Sequence, residues 1–586
     1  MAKGAGKKKG KVTWSSGMSV VLAVAGSAVG FGNFLRFPGL AAQYGGGAFM
    51  IAYFAAFLLM GVALSWMEWA IGRRGGALGG HTTASIFALL APGGARCWKY
   101  LGLVGVVAPL GIAMYYMNLE GWSLGYAYHT LVGDLNLAGA EQFGEFFGRF
   151  SGAGGHGAAY DGGSTVLLFI LLALAANFML IYRGVVRGIE WFCKWSMPVL
   201  LVLALAIMVR VLTLGTPDTA HPERCVGEGL GYMWNPDKVM LVADDADGTT
   251  HTINMVPAHY TPQQREQFIR NVQKANPGSS IRMQDISILQ GLLNPDLWVA
   301  AAGQIFWTLS IGFGVVCCYS SYVDPRKDIA MSSLTANVTN EAVEVGLAGM
   351  IIIPAAVSFL GVAAAAGCST FGLGFNVLPE VFAAMPLGQF FGGLFFGLLF
   401  LAAVTSSLSL IQPMISFLEE FWGLRRIQSL VIAIFMLTVG TLMVAWFTGD
   451  GMIALDTLDF WMGTISLYVM SAIYVVVFRR VIGPQAGVAE LQRGSLLRMP
   501  DRLYRILICW TAPLILAAIF ISWVFKNLVG TTCPQIQNLL DCKMGALLPL
   551  AWVLAITCFC ILVIHTSRKF RKKLPLEQTN ERIPFS

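Results

Sequence analysis

The chain has 586 residues, of which 56% are hydrophobic and only 12% carry a charge. A soluble domain carries roughly 25% charged residues, so this composition excludes an ordinary water-soluble protein. The net charge of +7 does not indicate a nucleic-acid partner, because the basic residues are sorted along the chain and not gathered into one patch.

The apolar residues fall in long runs of about 20, the length at which an α-helix crosses a bilayer core. Only helices and closed barrels satisfy their backbone in lipid, and continuous runs of this length favour helices. The sequence therefore predicts an all-α membrane protein with about twelve transmembrane helices. In chain order these predicted spans cover residues 17–43, 46–72, 99–131, 164–182, 190–213, 296–323, 331–366, 388–421, 426–446, 455–479, 505–527 and 544–566.

Basic residues fall at every second boundary between spans, as expected of cytoplasmic loops. They are the N-terminal lysines, Arg73, Arg74, Arg183, Arg187, Arg326, Lys327, Arg425, Arg426, Arg479, Arg480 and residues 568–573. This pattern predicts a multi-pass protein of the plasma (inner) membrane whose two tails, 1–16 and 567–586, are cytoplasmic. A signal peptide is the alternative for the first span, but no clear cleavage site follows it.

The longest predicted loop, residues 214–295, lies on the outer side and contains a polar stretch from Ala243 to Arg282. It is predicted to form a small extracytoplasmic cap, for which a tolerated insertion without function is the favoured interpretation. Most of the eleven cysteines lie inside spans and are interpreted as packing residues. Cys533 and Cys542 share the last outward loop, where a disulfide and two free thiols both remain open.

Two predicted spans are interrupted by glycine in the same way. Span 1 contains Gly30-Phe31-Gly32 and span 6 contains Gly312-Phe313-Gly314, each in the first helix of a five-span block, 17–213 or 296–480. Such a pair in corresponding places indicates a binding site between inverted repeats. Close helix packing through small residues is the alternative.

Three motifs stand in the first seventy residues: A-G-S-A-V-G-F-G-N-F-L-R-F-P, Y-G-G-G-A-F-M-I-A-Y and W-M-E-W-A-I-G-R. They are followed by P-L-G-I-A-M-Y-Y, G-Q-I-F-W-T-L-S-I-G-F-G, L-T-A-N-V-T-N-E, T-S-S-L-S-L-I-Q-P-M and L-D-F-W-M-G-T. Together these motifs resemble the neurotransmitter:sodium symporter family, most of all its bacterial leucine-transporter members. The resemblance covers spans 1–10, whereas the long loop and spans 11 and 12 (within 481–566) match poorly.

The resemblance implies a leucine-transporter-type fold with a 5+5 inverted repeat and broken helices 1 and 6. It implies sodium-coupled symport of a small neutral amino acid by alternating access, with two sodium ions as the expected cofactors. Sodium prefers a cage of oxygen ligands, and unwound backbone supplies carbonyl oxygens.

The implied ligands of the first sodium ion are the Ala28 carbonyl, the side chains of Asn33, Thr308 and Asn340, and the substrate carboxylate. For the second ion they are the carbonyls of Gly26, Val29 and Ala402 and the hydroxyls of Thr405 and Ser406. Hydroxyls bonded back to their own helix are the alternative for the last pair.

The substrate carboxylate is expected against the backbone of Gly30 and Gly32 and the hydroxyl of Tyr116. The resemblance implies an Asp at position 30 in monoamine carriers, whereas Gly30 leaves room for the carboxylate of an amino acid. The amine would meet carbonyls near Ala28 and Phe313 and the side chain of Thr308. The implied side-chain pocket is Ile112, Trp307, Ser310, Phe313, Ser407, Ser409 and Leu410.

This pocket departs from that of the leucine carriers. Trp307 stands where they have Phe, Ile112 where they have Val, Ser27 where they have Asn, and Ser409 where they have Ala. These changes predict a neutral substrate of modest size.

Charged residues inside spans are costly and usually functional. By resemblance, Arg36 and Asp459 form an outer gate with Phe313 as the lid beneath it, and Lys11, Trp14, Tyr322 and Glu420 close the inner mouth. For Lys11, a plain positive-inside charge is an equal alternative. Glu344 stands where chloride-dependent members have Ser, so transport is expected to be chloride-independent.

Three other functions are alternatives to this interpretation. An enzyme is disfavoured because no metal cluster, nucleophile–base pair or phosphate loop occurs in the sequence. A non-transporting amino-acid sensor, and a carrier of the same fold driven by protons or another cation, remain as alternatives. The expected partners are a small amino acid and membrane lipid, with no nucleic acid; a homodimer is left open.

Overall fold

The computed structural model describes residues 14–91, 97–162, 164–218, 221–244, 250–257, 260–275, 279–367, 370–496, 500–525, 527 and 533–567. Nine helices within these ranges are long and apolar enough to cross a membrane. They are Gly47–Ala77, Trp98–Val132, Val185–Leu212, Ile329–Leu360, Gly388–Phe421, Arg426–Trp446, Ile453–Ile482, Asp501–Val524 and Met544–Thr566.

The three remaining predicted spans also coincide with helical structure. Span 1 is a bent pair, Gly17–Ala28 and Gly32–Gln43, and span 4 is a short apolar helix, Val166–Tyr182. Span 6 consists of Pro295–Thr308 and Val315–Ser320. The helical architecture is therefore the leucine-transporter-type arrangement that the sequence predicts, with helices 1 and 6 broken.

The break in span 1 is short. The first helix ends at Ala28, because Val29 leaves the helical region with ψ at 113°. The chain becomes helical again at Gly32, and the two halves meet at an angle of 50°. A side chain at Gly30 has little space, since its Cβ would lie 2.5 Å from the Tyr116 hydroxyl.

The break in span 6 is longer and has a different backbone. Ser310, Gly312 and Gly314 have φ values of 53°, 82° and 78°, a region that glycine enters at little cost. The freed N–H of Gly312 donates to Glu68 Oε1 at 2.6 Å. The second helix then begins at Val315.

Spans 3 and 8 form the most extensive helix pair and run beside both breaks. Side chains of span 3 on one face and small hydroxyl residues of span 8 therefore border the space that the breaks open. The shorter described helices lie between the spans, namely Thr83–Leu90, Ala140–Ser151, Val362–Gly367, Leu378–Ala384, Pro484–Gln492 and Pro534–Leu540.

The loop 214–295, called the cap below, has a fold that the sequence did not predict. It contains the helices Val226–Trp234, Pro262–Ala275 and Ile288–Leu292. An antiparallel sheet has Lys238–Asp244 between Thr250–Met255 and Ser280–Ile286. Leu241, Val256 and Phe268 form a small core of its own. The protein is thus all-α in its membrane part only.

Cys533 and Cys542, whose pairing the sequence leaves open, are both free thiols in the structure. Cys533 is buried at the start of helix Pro534–Leu540, whereas Cys542 is exposed just after this helix ends.

Candidate functional site

A cavity of about 180 Å³ lies where the two broken spans meet span 3 and span 8. Most of the residues predicted to bind substrate line it. They are Ala28, Gly30, Gly32, Ile112, Tyr116, Trp307, Ser310, Phe313 and Leu410. Ser27, Ser406, Arg36 and Asp459 border the same space.

A fully buried polar cluster adjoins this cavity. It joins Asn33 of span 1, Thr308 of span 6 and Asn340 and Glu344 of span 7, each at most 1% exposed. Asn33 Nδ2 donates to Thr308 Oγ1 at 3.1 Å, Asn340 Oδ1 at 2.9 Å and Glu344 Oε2 at 2.8 Å. Asn340 Nδ2 donates to Thr308 Oγ1 at 2.7 Å. Spans 6 and 7 thus present hydroxyl, amide and carboxylate oxygens to the Asn33 amide nitrogen of span 1.

Glu344 is the acceptor at the centre of this cluster. Its Oε1 accepts from Gln304 Nε2 at 2.8 Å and from the Tyr53 hydroxyl at 2.9 Å, and the Thr308 hydroxyl donates to its Oε2. A buried carboxylate is tolerated when it is hydrogen-bonded in this way or paired with a cation. Hard oxygen donors with one negative charge fit an alkali cation such as sodium.

A second polar cluster joins the break in span 1 to span 8. Thr405 and Ser406 both donate to the Ala402 carbonyl, at 2.8 Å and 3.2 Å. Ser406 Oγ also lies 3.1 Å from the Val29 carbonyl, to which it donates. Both hydroxyls are therefore bonded to their own helix, and that of Ser406 also reaches the unwound backbone of span 1. Gly26 lies one turn before Val29, with its Cα facing Cys193 and Met197.

The backbone of the break in span 1 faces the cavity beside Tyr116. The Phe31 N–H donates to the Tyr116 hydroxyl at 3.3 Å, and the Gly30 N–H donates to Asn33 Oδ1 at 2.7 Å. These N–H groups begin the outer half-helix, whose positive dipole end favours an anion. The arrangement can bind a carboxylate.

The remaining predicted residues lie beside the cavity or away from it. Ser409 lies behind Ser27, whose hydroxyl donates to Ser409 Oγ at 2.6 Å. Thr308 belongs to the polar cluster. Ser407 faces away, because its hydroxyl donates to Asn177 Oδ1 of span 4 at 2.7 Å. The structure therefore does not place Ser407 in the pocket.

Six residues that the sequence analysis missed also line the cavity, namely Phe31, Leu35, Tyr115, Leu119, Thr370 and Phe371. Two of them follow a helical pattern: Ile112, Tyr115, Tyr116 and Leu119 share one face of span 3 by their spacing of three and four. Extending that pattern from Tyr116 would have found Tyr115 and Leu119. Thr370 and Phe371 belong to the connection between spans 7 and 8, for which the sequence carries no comparable signal.

Arg36 and Asp459, the two residues predicted for the outer gate, both border the cavity. The Arg36 guanidinium lies 5.1 Å from the centre of the Trp307 ring, and Tyr115 donates to Asp459 Oδ1 at 2.8 Å. Arg36 and Asp459 are not an ion pair in the described part of the chain. Trp307, rather than Phe313, lies directly against Arg36, and the Phe313 ring packs edge-on to Trp307 at 5.5 Å.

The described residues that are predicted to close the inner mouth lie around Tyr319, Tyr322 and His81. Trp14 is buried and donates from Nε1 to the Tyr319 carbonyl at 3.0 Å. The Tyr322 ring stacks on His81 at 4.2 Å. Glu420 accepts from the His81 backbone N–H at 2.6 Å and from the Thr82 hydroxyl at 2.9 Å. Lys11 lies outside the described residues.

Comparison with known proteins gives matches over most of the chain. Residues 11–143 and 268–573 match the description "Sodium:neurotransmitter symporter family". An uncharacterised sodium-dependent transporter of Haemophilus influenzae is 27% identical over 429 residues, which are 73% of this chain and 78% of that protein. The uncharacterised sodium-dependent transporter YhdH of Bacillus subtilis is 28% identical over 69% of this chain and 72% of its own.

A solved structure is also similar. The crystal structure of MhsT in complex with L-phenylalanine aligns with a TM-score of 0.67 at 26% identity, over 88% of this chain and all of that one. The internal residues left out of the family match, 144–267, contain spans 4 and 5 and the cap up to residue 267. Spans 11 and 12, for which the sequence predicts a poor match, lie within the matched residues.

Proposed function

Because the chain belongs to the sodium:neurotransmitter symporter family, whose members are sodium-coupled transporters and not enzymes, we propose that it imports a neutral amino acid together with sodium. The observation that carries this proposal is the cluster of Asn33, Thr308, Asn340 and Glu344 beside a cavity that can bind a carboxylate.

Two sodium ions are proposed. The first would be held by Asn33, Thr308 and Asn340 with the Ala28 carbonyl, next to the place proposed for the substrate carboxylate. Ion and substrate would then each supply part of the other's site, which couples their binding. The second would be held by Thr405 and Ser406 with the carbonyls of Val29 and Ala402, so that the ion joins span 8 to the broken span 1.

The proposed substrate is an amino acid, and Gly30 is the main support for this class. A Cβ at Gly30 would lie 2.5 Å from the Tyr116 hydroxyl and 2.7 Å from Ser406 Oγ. The missing side chain therefore leaves the Tyr116 hydroxyl, which accepts from the Phe31 N–H, able to donate its own proton to the substrate's carboxylate. L-phenylalanine, the ligand of the similar MhsT structure, is an amino acid as well.

The proposed transport cycle alternates the access of this cavity between the two sides. In this proposal, the contacts of Trp14 and Tyr322 close the inner side. At the outer side, the Arg36 guanidinium lies over the Trp307 ring, and Asp459 accepts a hydrogen bond from Tyr115. In the proposal, the movement of Arg36 towards Asp459 closes the outer side after substrate and sodium have bound. The protein would lie in the plasma (inner) membrane with both termini in the cytoplasm.

Uptake by proteoliposomes tests the driving ion. Radiolabelled alanine and a panel of neutral amino acids should accumulate when sodium is outside and potassium inside. Thr405→Ala combined with Ser406→Ala should greatly weaken this uptake, because the second ion loses both side-chain ligands. Equal uptake from potassium-only medium would contradict the proposal, and accumulation driven by a pH gradient alone would indicate a proton-driven carrier.

Chloride independence is proposed from Glu344, which places a fixed carboxylate beside the first ion site. Replacement of chloride by gluconate should leave uptake unchanged. Glu344→Ser should make uptake depend on chloride, because an anion must then supply the lost negative charge. A wild-type protein that stops transporting in gluconate would refute this part of the proposal.

A further inference from the structure

The cap helix Val226–Trp234 lies between the outer half of span 1 and the outer half of span 7. The Tyr232 hydroxyl donates to the Ala42 carbonyl, in the last turn of span 1, at 2.6 Å. Met233 is fully buried at Gly349 of span 7, where a Cβ would lie 2.5 Å from Met233 Cε and 3.0 Å from Phe37 Cε1. Phe37 belongs to the outer half of span 1, so Met233 of the cap and Phe37 of span 1 pack against the same residue of span 7.

Further contacts join the same cap helix to span 7. A Cβ at Gly229 would lie 2.5 Å from Pro354 Cα, so the helix backbone approaches span 7 closely. The Trp234 indole N–H donates to Met350 Sδ at 3.3 Å. Contact therefore runs along the whole cap helix.

Lys238, the first residue of the central cap strand, adds a contact with Gly45, two residues after span 1 ends. It is only 8% exposed, and its ammonium donates to the carbonyls of Gly45 and Tyr232. It also lies 4.2 Å from the centre of the Tyr232 ring, in cation–π geometry. Burial lowers the pKa of Lys238 to about 7, whereas the two carbonyls and the ring favour its charged form.

The link between spans 1 and 2 packs so closely against the cap that its glycines have no room for a side chain. A Cβ at Gly46 would overlap the Tyr232 carbonyl oxygen, and one at Gly47 would lie 2.5 Å from the Asn235 carbonyl carbon. Both neighbours are backbone atoms, which cannot turn aside as a flexible side chain can. Gly45 and Gly46 also have positive φ values of 77° and 65°, which favour glycine.

The two spans that the cap joins also supply the buried polar cluster. Asn33 lies nine residues before Ala42, about 14 Å along the helix, and Glu344 lies five residues before Gly349, about 8 Å. The break at residues 29–31 removes the helical hydrogen bonds that would otherwise fix the outer half of span 1 to its inner half. The orientation of Asn33 towards Asn340 and Glu344 therefore depends on what restrains the outer half from outside.

We propose that the cap is a clamp in which Tyr232, Met233 and Lys238 hold the outer half of span 1 against span 7, and that it thereby sets the geometry of the first sodium site. Tyr232 and Lys238 are positioning residues, because they touch neither the ion nor the substrate. The role in sodium binding rests on the proposed function, whereas the restraint on span 1 does not.

The test uses the full-length protein and the double variant Tyr232→Phe with Lys238→Met. Tyr232→Phe alone serves as a milder variant, because it removes one hydroxyl and keeps the ring. Arg282→Gln is the matched control, since Arg282 pairs with Asp244 at 2.7 Å on the exposed face of the cap sheet. Two quantities are measured: hydrogen–deuterium exchange of the span 1 amides, and the sodium concentration that half-saturates equilibrium binding of radiolabelled alanine.

In the double variant, exchange over residues 32–47 should rise while exchange over residues 17–28 stays as in the wild type. The half-saturating sodium concentration should rise about threefold to tenfold, as the loss of one or two buried hydrogen bonds predicts. Tyr232→Phe should give a smaller change in the same direction, and Arg282→Gln should change neither quantity.

Unchanged exchange over residues 32–47 would overturn the clamp, whatever the transport data show. Raised exchange with an unchanged sodium requirement would overturn its role at the ion site. Raised exchange in a protein whose wild type binds alanine without sodium would support the clamp and refute the proposed function, so the two failures are distinguishable.

Discussion

The two broken spans contain the same three letters, Gly-Phe-Gly, yet the two breaks are built differently. Gly30 and Gly32 of span 1 are not among the described residues with positive φ, whereas Gly312 and Gly314 of span 6 have φ near 80°. The first break resumes as a helix within three residues, and the second takes six. Gly30 is therefore required for the space that it leaves at Tyr116, and Gly314 for the backbone conformation itself.

The breaks also differ in where their freed backbone groups find partners. In span 1 the Gly30 N–H donates to Asn33, three residues further along the same segment. In span 6 the Gly312 N–H donates to Glu68 of span 2. The Phe31 N–H of the first break also has a partner on another span, Tyr116 of span 3. Only the second break combines such a partner with positive φ values, so substitutions there should affect folding more.

The largest effect is expected for Gly314→Ala. A positive φ costs an alanine about 1–2 kcal/mol, and the new Cβ would also overlap the Gly105 carbonyl oxygen of span 3. We expect almost no monodisperse protein on size-exclusion chromatography after extraction. Gly303→Ala in the same span is the control, because nothing lies within 4 Å of its Cβ position. Equal yields from both variants would contradict the conformational role.

Gly30→Ala should fold but transport poorly. Its Cβ would meet only the ends of two side chains, Tyr116 and Ser406, which can turn aside. Their displacement should lower alanine uptake by about tenfold or more, as the loss of a hydrogen bond to a charged group predicts. Gly32→Ala should be milder, since its nearest neighbour, Gln304 Nε2, lies at 3.9 Å.

Adding Tyr116→Phe to Gly30→Ala separates the steric clash of the Tyr116 hydroxyl from its proposed hydrogen bond to the substrate. The second substitution removes the crowded hydroxyl, so thermal stability should return towards that of the wild type. Uptake should stay low, because the hydroxyl proposed to bind the carboxylate is absent. Restored uptake would show that the Tyr116 hydroxyl affects transport only through its steric volume and not through a hydrogen bond.

Glu68→Ala should destabilise the second break by about 1–3 kcal/mol, the cost of a buried N–H left without its acceptor. Glu68→Gln keeps a carbonyl oxygen that can accept from the Gly312 N–H, so it should be closer to the wild type. Thermal unfolding of the purified proteins, followed by the loss of monodisperse material, measures the difference. If both variants unfold at the same temperature, the hydrogen bond to Gly312 is not the stabilising feature.

The smallest effect is expected for Trp307→Phe, just before the second break. An overfilled site costs about 1–3 kcal/mol, so a smaller ring should improve competition by leucine and phenylalanine relative to alanine. Trp307 Cζ2 lies 2.7 Å from the Cβ position of Gly463 in span 10. The edge of the indole ring therefore packs against span 10, and only part of the ring occupies the cavity. An unchanged competition profile would show that other residues set the substrate size.

The sequence predicted the helices and both breaks, because each of these is encoded in a continuous apolar run or a glycine motif. The family resemblance supplied the four residues of the buried polar cluster, and their role at an ion site stays a prediction. The sequence did not predict that Arg36 would lie on Trp307 and not beside Asp459, since that choice depends on how three spans pack. Nor did it indicate Thr370 and Phe371, which reach the cavity from a connection without periodicity. Two strands of the cap sheet lie wholly or partly in the polar stretch, which hides them. The central strand Lys238–Asp244 contains the apolar run V-M-L-V-A, a strand signal that the sequence analysis missed.

Span 4 has a further consequence for the membrane around the protein. Its 17 helical residues extend about 26 Å, less than the hydrocarbon thickness of about 30 Å in a typical bilayer. Leu168, Leu171 and Met179 on this helix are exposed and face outwards. Hydrophobic mismatch of this size costs fractions of a kcal/mol per Å. We therefore expect the bilayer to thin beside span 4, and lipids with shorter acyl chains to surround this side of the molecule.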